Sequence, residues 1–391
     1  MFEKFLSSRM ALLDTESAFK TLAKAKALEA QGRSIIHMEI GQPDFPTPRN
    51  ITEAAYRAIN EGSTGYTPTP GYPEARQAIA DYAAEYKNVK SSADGVVIVP
   101  GAKPMIFFTM QMLVENGDEV ICPNPSFPIY ESCIKYCGGT VVPIPLSADR
   151  DFRFDVGAFK RSITGRTKLV IINNPANPTG GVSTHEDILE MAEILKERPD
   201  IFVLSDEIYD RLVYDGNVTS IASIPGMGDR VILMDGLSKT YAMTGWRLGF
   251  GIMHPELASQ MELLMVNSFS CAAAFTQIAA IEALRGQQET VDEMRATFKE
   301  RRDFLVEGLN AIDGIRCPVP KGAFYVFPDI TGCGVGSDEF ADRLLTEGGV
   351  AASSGASFGK YGEGHIRMSY ATSIENIKIA IDRVAAFVKT L

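Results

Sequence analysis

The chain has 391 residues, 45% of them apolar and 22% charged, with a formal net charge of -11. That length exceeds what one hydrophobic core comfortably organises, so two packed domains are expected, and the composition is that of a globular chain rather than a disordered one. The acidic balance argues against a nucleic-acid partner gripped through its phosphates, and no apolar run reaches the roughly 20 residues that cross a bilayer, so no membrane partner is expected.

In chain order, the first ten residues lack the apolar stretch and small-residue cleavage site of a secretion signal, which makes the cytoplasm the expected location. A helix is expected over residues 18–31. Strand signals then recur at 96–99, 119–122, 140–143, 168–173, 201–205, 231–235 and 248–252. Most are near-continuous apolar runs, as a sheet covered on both faces requires. Helical patterns at 103–115, 128–136 and 185–197 fill the intervals. Right-handed crossovers follow, giving an α/β fold with a mostly parallel seven-stranded sheet flanked by helices, and ligands belong at the carboxyl ends of its strands. From about residue 255 the pattern changes to two long helical stretches, short strands at 323–328 and 365–370, and a closing helix at 374–390. We expect a large domain over 41–284 and a smaller α+β domain built from 1–40 and 285–391. The six cysteines (Cys122, Cys133, Cys137, Cys271, Cys317, Cys333) have no CxxC spacing and read as reduced thiols rather than metal ligands.

The stretch from Gly236 to Gly249, GLSKTYAMTGWRLG, lies between two apolar strands. A lysine at a strand end, Lys239, beside the Ser238 hydroxyl, can form a Schiff base with an aldehyde cofactor. Arg247 adds a permanently charged planar fork suited to phosphate. All fourteen residues resemble the lysine signature of the class I and II aminotransferases, pyridoxal 5'-phosphate (PLP) enzymes of fold type I.

The resemblance extends, in order, over about residues 41–370 and implies a role for each matching position. In Leu204-Ser205-Asp206-Glu207-Ile208-Tyr209, Asp206 would pair with the pyridinium nitrogen and keep it protonated, while Tyr209 would hydrogen-bond the phenolic oxygen. Asn177, in the NxPxNPTG-like turn from Asn173 to Gly180, would donate to the same oxygen and border the substrate. Gly101, Ala102 and Lys103 open a helix directly after a strand, where free N–H groups favour a phosphate. Phe127, in Pro125-Ser126-Phe127-Pro128, would stack on the cofactor. Arg367 would clamp the substrate α-carboxylate, with the backbone of Gly41 lying against it. Tyr66 matches a tyrosine that reaches the neighbouring subunit's cofactor, which implies a homodimer with shared sites.

The implied reaction moves an amino group from an L-amino acid to a 2-oxo acid such as 2-oxoglutarate, with Lys239 as general base. Lys103 matches a lysine that approaches the distal carboxylate of aspartate in one subgroup. Where that subgroup tends to have Ser-Ala-Thr, however, this chain has Ser17-Ala18-Phe19, a departure toward an aromatic or aliphatic donor. Fold type I also hosts lyases, a C–S β-lyase among them, and non-enzymatic regulators. A nicotinamide oxidoreductase is disfavoured because no GxGxxG follows an early strand.

Overall fold

The computed structural model describes residues 5–391. Helix α1 (Ser17–Glu29) leads into β1 (Ile36–His37), then α2 (Arg49–Asn60) and α3 (Pro73–Lys87). Pro73 opens α3 where its missing N–H is no loss, and Asn88 ends it in the left-handed region at φ 54°.

The large sheet contains β2 (Val96–Val99), β3 (Glu119–Asn124), β4 (Thr140–Pro145), β5 (Thr167–Asn173), β6 (Phe202–Asp206), β7 (Val231–Gly236) and β8 (Gly249–Ile252), in the order β2-β8-β7-β6-β5-β3-β4. β8 runs antiparallel to β2 and β7, and every other pair is parallel. All seven expected strands are present, with ends displaced by at most two residues. The apolar runs are explained by two cores. Val96, Ile98, Val170 and Leu233 face one, whereas Val97, Val99, Leu169, Ile171 and Ile232 face the other. Successive side chains alternate between faces, so a strand buried on both sides has no polar position to spare.

Helices α4 (Lys103–Leu113), α5 (Ile129–Tyr136), α6 (Val156–Ser162) and α7 (His185–Lys196) occupy the crossovers, and a single-turn α8 (Leu237–Thr240) follows β7 directly. α7 begins in a reciprocal capping box between Thr184 and Asp187, which satisfies two otherwise orphaned backbone donors.

Beyond residue 254 the structure departs from the expected two long helices. Three form: α9 (Pro255–Val266), α10 (Ala274–Arg285) and α11 (Glu289–Asn310). Apolar periodicity carries across the first break, but Ser270 adopts φ 66°, which no helix accommodates. The strand expected over 323–328 shrinks to β9 (Tyr325–Val326), because Ala323 is left-handed at φ 57°. The chain closes with α12 (Ser337–Arg343), β10 (Val350–Ala351), β11 (Ser353–Ser354), β12 (Ile366–Ser369) and α13 (Ile374–Val388). β12 sits between β11 and β9, antiparallel to both, and β1 pairs parallel with β10, joining the N-terminal segment to the C-terminal elements. Their shared core, which includes Met38, Phe298, Phe340 and Val384, also takes in Ile208 and Tyr209 from the end of β6. No helix among the described residues is long and apolar enough to cross a membrane.

Candidate active site

At the carboxyl ends of β5, β6 and β7, a cavity of about 520 Å³ extends toward α1, α4 and β12. It is lined by Gly41, Ala102, Lys103, Phe127, Asn177, Asp206, Tyr209, Ser238, Lys239, Arg247 and Arg367, all of the candidate residues except Gly101 and Tyr66. This is the strand-end position that a parallel sheet assigns to ligands.

Lys239 sits on α8, one short turn beyond β7, and its Nζ donates to the Gly41 carbonyl at 2.6 Å. Burial lowers its pKa to about 8, assisted by the Arg367, Arg247 and Lys103 cations against the opposing pull of Glu16. Asp206 ends β6 fully buried. The Tyr130 hydroxyl donates to its Oδ2, and the Ile208 N–H donates to Oδ1 at 3.2 Å. Burial raises the carboxyl to about 6, and those two donors keep it from rising further.

Arg367 projects from β12 into a buried position. Its Nη1 donates to Asn177 Oδ1 at 3.0 Å and its Nη2 to the Glu39 carbonyl at 2.5 Å. The guanidinium lies 4.5 Å over the Tyr325 ring and 4.8 Å over Phe358, and its Nε has no partner. A fork fixed on two sides and unsatisfied on a third is suited to an incoming carboxylate. Asn177 is oriented by the turn that carries it, its own N–H donating to Asn173 Oδ1 at 2.8 Å. Since its Oδ1 is engaged by Arg367, its amide N–H groups are left to donate elsewhere.

Gly101 is outside the cavity lining but behind it, at φ 76°, and a Cβ there would collide with the Arg247 guanidinium. Arg247 itself is held by its Nη1 donating to the Thr244 carbonyl at 2.9 Å. A permanent cation therefore lies against the turn that opens α4. The group implied by the lysine signature is tested by this donor set. Arg247, the N-terminus of α4 and Ser238 supply what a phosphate needs, Asp206 supplies an acceptor for a protonated ring nitrogen, and Tyr209 and Asn177 supply donors for a phenolic oxygen. The residues fit PLP.

Three residues with no role in the sequence reading belong to this site. Tyr130 is the donor to Asp206, and Phe127 packs edge-on against its ring at 5.7 Å. Tyr325 shares a 2.8 Å hydrogen bond with the Tyr209 hydroxyl and fills the space a Cβ on Gly41 would need. Glu16, just before α1, forms an ion pair with Lys103. Lys103, expected to approach a substrate's distal carboxylate, thus already has a carboxylate partner. Tyr130 lies three residues after Phe127, on the helical face toward the sheet, which was a usable signal. Nothing local marks Glu16 or Tyr325. Tyr66 stands 92% exposed, away from the cavity.

The family model described as aminotransferase class I and II matches residues 33–384. The aspartate aminotransferase of Pyrococcus horikoshii is 37% identical over 382 residues, covering 97% of this chain and 96% of the relative. The aspartate/prephenate aminotransferase of Cereibacter sphaeroides is 38% identical over 395 residues, with 98% of each covered. Among solved structures, the aspartate aminotransferase of Thermus thermophilus with maleate superposes with a TM-score of 0.94 at 34% identity, covering 98% of this chain and 99% of that one.

Proposed function

The chain belongs to the class I and II aminotransferases, PLP-dependent enzymes, and on that premise we propose that it moves the amino group of L-aspartate to a 2-oxo acid such as 2-oxoglutarate, in two half-reactions at one site. The observation that carries this reading is the convergence of a depressed lysine, a buried carboxylate and a partly unsatisfied arginine in one cavity.

PLP, when bound, supplies an aldehyde for the amino group and a ring that takes up the electrons left by a departing proton. The protein does the rest. Arg367 holds the donor's α-carboxylate with Nε and its fork, and Asn177 and the Glu39 carbonyl hold Arg367. That fixes the donor Cα near Lys239 Nζ, which takes its proton. A lysine with pKa near 8 is about half neutral at pH 8, whereas an ordinary one is neutral in only about 0.3% of molecules, so the amine is available as nucleophile and base. Asp206 would hold the ring nitrogen, ionised above about pH 6, and Tyr209 and Asn177 would donate to the phenolic oxygen. Arg247, Ser238 and the Gly101-Ala102-Lys103 turn would hold the phosphate, and Phe127 would stack on the ring.

Lys103 on the cavity wall supports aspartate as donor. A second reading, an aromatic donor, is favoured by the Glu16 partner of Lys103 and by Phe19, which lines the cavity while 58% exposed. Presenting aspartate, glutamate, tyrosine and alanine separately to the PLP-loaded enzyme and following the visible band ranks them directly. Fastest conversion by aspartate, with oxaloacetate released, supports the first reading. Faster conversion by tyrosine selects the second, and release of pyruvate and ammonia points to lyase chemistry instead. Glu16→Gln should lower the aspartate KM several-fold by freeing Lys103 and leave tyrosine kinetics unchanged.

The exposure of Tyr66 outside its own cavity supports a homodimer in which it serves the neighbouring site. Sedimentation at the monomer mass would refute that arrangement.

A further inference from the structure

A second cavity, which shares no lining residue with the first, is lined by Lys87, Glu207 and Asp210. Lys87 is the last residue of α3, and its side chain is 2% exposed. The ammonium lies 3.3 Å from Glu207 Oε2 and 2.9 Å from Asp235 Oδ2, and it contacts Asp210 Oδ2. All three carboxylates are themselves at least nine-tenths buried. Burial alone would push the amine toward neutrality, but Asp210, Asp235 and Glu207 together hold it charged.

The cluster's position gives it meaning. Glu207 directly follows Asp206, so the two neighbours face different cavities from one strand end. Its Oε1 accepts from Ser205 Oγ at 2.8 Å and Ser220 Oγ at 2.6 Å, and its N–H donates to the Met234 carbonyl of β7 at 2.9 Å. Asp235 lies four residues before Lys239, and its Oδ1 accepts from the Gly236 N–H at 2.6 Å, at the turn into α8. One buried cation therefore joins the strand end that carries Asp206 to the strand end that carries Lys239. None of the cluster's members lines the active-site cavity.

We propose that Lys87 is a positioning residue for transamination, acting through Glu207 and Asp235 to hold Asp206 and Lys239 in register. The proposal rests on the active site described above. Other charged or titratable groups near the ammonium are Tyr82, whose ring lies 5.8 Å away, and, around Asp210 and Asp235, Arg211 and Tyr241. None of these replaces a lost cation at the Glu207–Asp235 junction, because Arg211 is stacked 4.1 Å over the Tyr86 ring.

The test compares PLP-loaded wild type with Lys87→Met, Lys87→Arg and Glu207→Gln, reading both steady-state kinetics and the pH at which the visible absorption band interconverts. Loss of a buried cation leaves excess negative charge behind the site, so Lys87→Met should move that pH upward by roughly half a unit to one unit. It should also lower kcat about tenfold while the donor KM changes less than about twofold, because Arg367 is untouched. Lys87→Arg should restore most of kcat. Glu207→Gln keeps the side-chain shape but removes a negative charge and should move the spectroscopic pH downward, which keeps the proposal testable if Lys87→Met does not fold. A folded Lys87→Met with unshifted spectrum and unchanged kcat, an unshifted Glu207→Gln, or a kcat loss that Lys87→Arg fails to recover would each overturn the proposal. A wild-type enzyme that takes up PLP without forming the band would overturn the active-site reading as well, which separates the two failures.

Discussion

Replacing Tyr130 by Phe removes one oxygen from the fully buried surroundings of Asp206 and leaves the aromatic packing against Phe127 in place. A hydrogen bond to a charged group contributes about 1.5–3 kcal/mol, which corresponds to about one to two pK units on the carboxyl it serves. With burial already holding Asp206 at about 6, the variant's carboxyl should titrate near 7 to 8 in the cofactor-free protein. The sign of the stability effect follows. Because this carboxyl is raised above its unfolded value of about 4, its contribution to folding is most favourable below that value and is lost as the pH rises through 6. Tyr130→Phe should therefore melt at a lower temperature than wild type at about pH 7.5, with a smaller difference at about pH 5, where most of the carboxyl is protonated in both proteins. In the loaded enzyme, an Asp206 that is ionised in fewer molecules should slow the donor half-reaction ten- to a hundredfold, measured by stopped-flow absorbance. Equal half-reaction rates, or a melting difference that grows toward pH 5, would refute the assignment of Tyr130 as the donor that keeps Asp206 ionised.

The pKa of about 8 at Lys239 predicts that cofactor-free enzyme takes up PLP faster as the pH rises, levelling off above about 8, and an inflection near 10 would mean the amine is not depressed. Arg367→Lys keeps the charge but loses the fork that Asn177 and Glu39 orient, so the donor KM should rise about a hundredfold with a lesser fall in kcat, and unchanged donor kinetics would remove Arg367 from the site. Gly101→Ala combines a left-handed φ of 76° with a collision against the Arg247 guanidinium, so equilibrium dialysis should find PLP affinity reduced about tenfold or more, and native-like affinity would separate Arg247 from the phosphate.

How much of this was readable in advance depended on the range of the interaction that decides it. The seven strands were legible because double-sided burial writes itself into contiguous residues, Val96 to Val99 being all apolar for that reason. The residues proposed to hold the cofactor were legible for a related cause, since Lys239, Ser238 and Arg247 lie within one segment and Asp206 and Tyr209 within another, each held by its own strand end. Backbone exceptions were not. The left-handed Ser270 and Ala323 interrupt patterns that apolar periodicity would continue, and nothing in serine or alanine announces such a conformation.

The sequence by itself thus determined the sheet, the family and the residues proposed to handle the cofactor, because those depend on local pattern and on motifs a few residues long. Only the tertiary structure decided which distant side chains meet. Glu16 with Lys103, Tyr130 with Asp206, Tyr209 with Tyr325, and Lys87 with Glu207 are separated by 87, 76, 116 and 120 residues. In each pair at least one partner is an ordinary polar residue in its own neighbourhood. What makes the Tyr130, Tyr209 and Lys87 pairs consequential is burial, which strengthens a charge or hydrogen bond only after folding has removed the water around it.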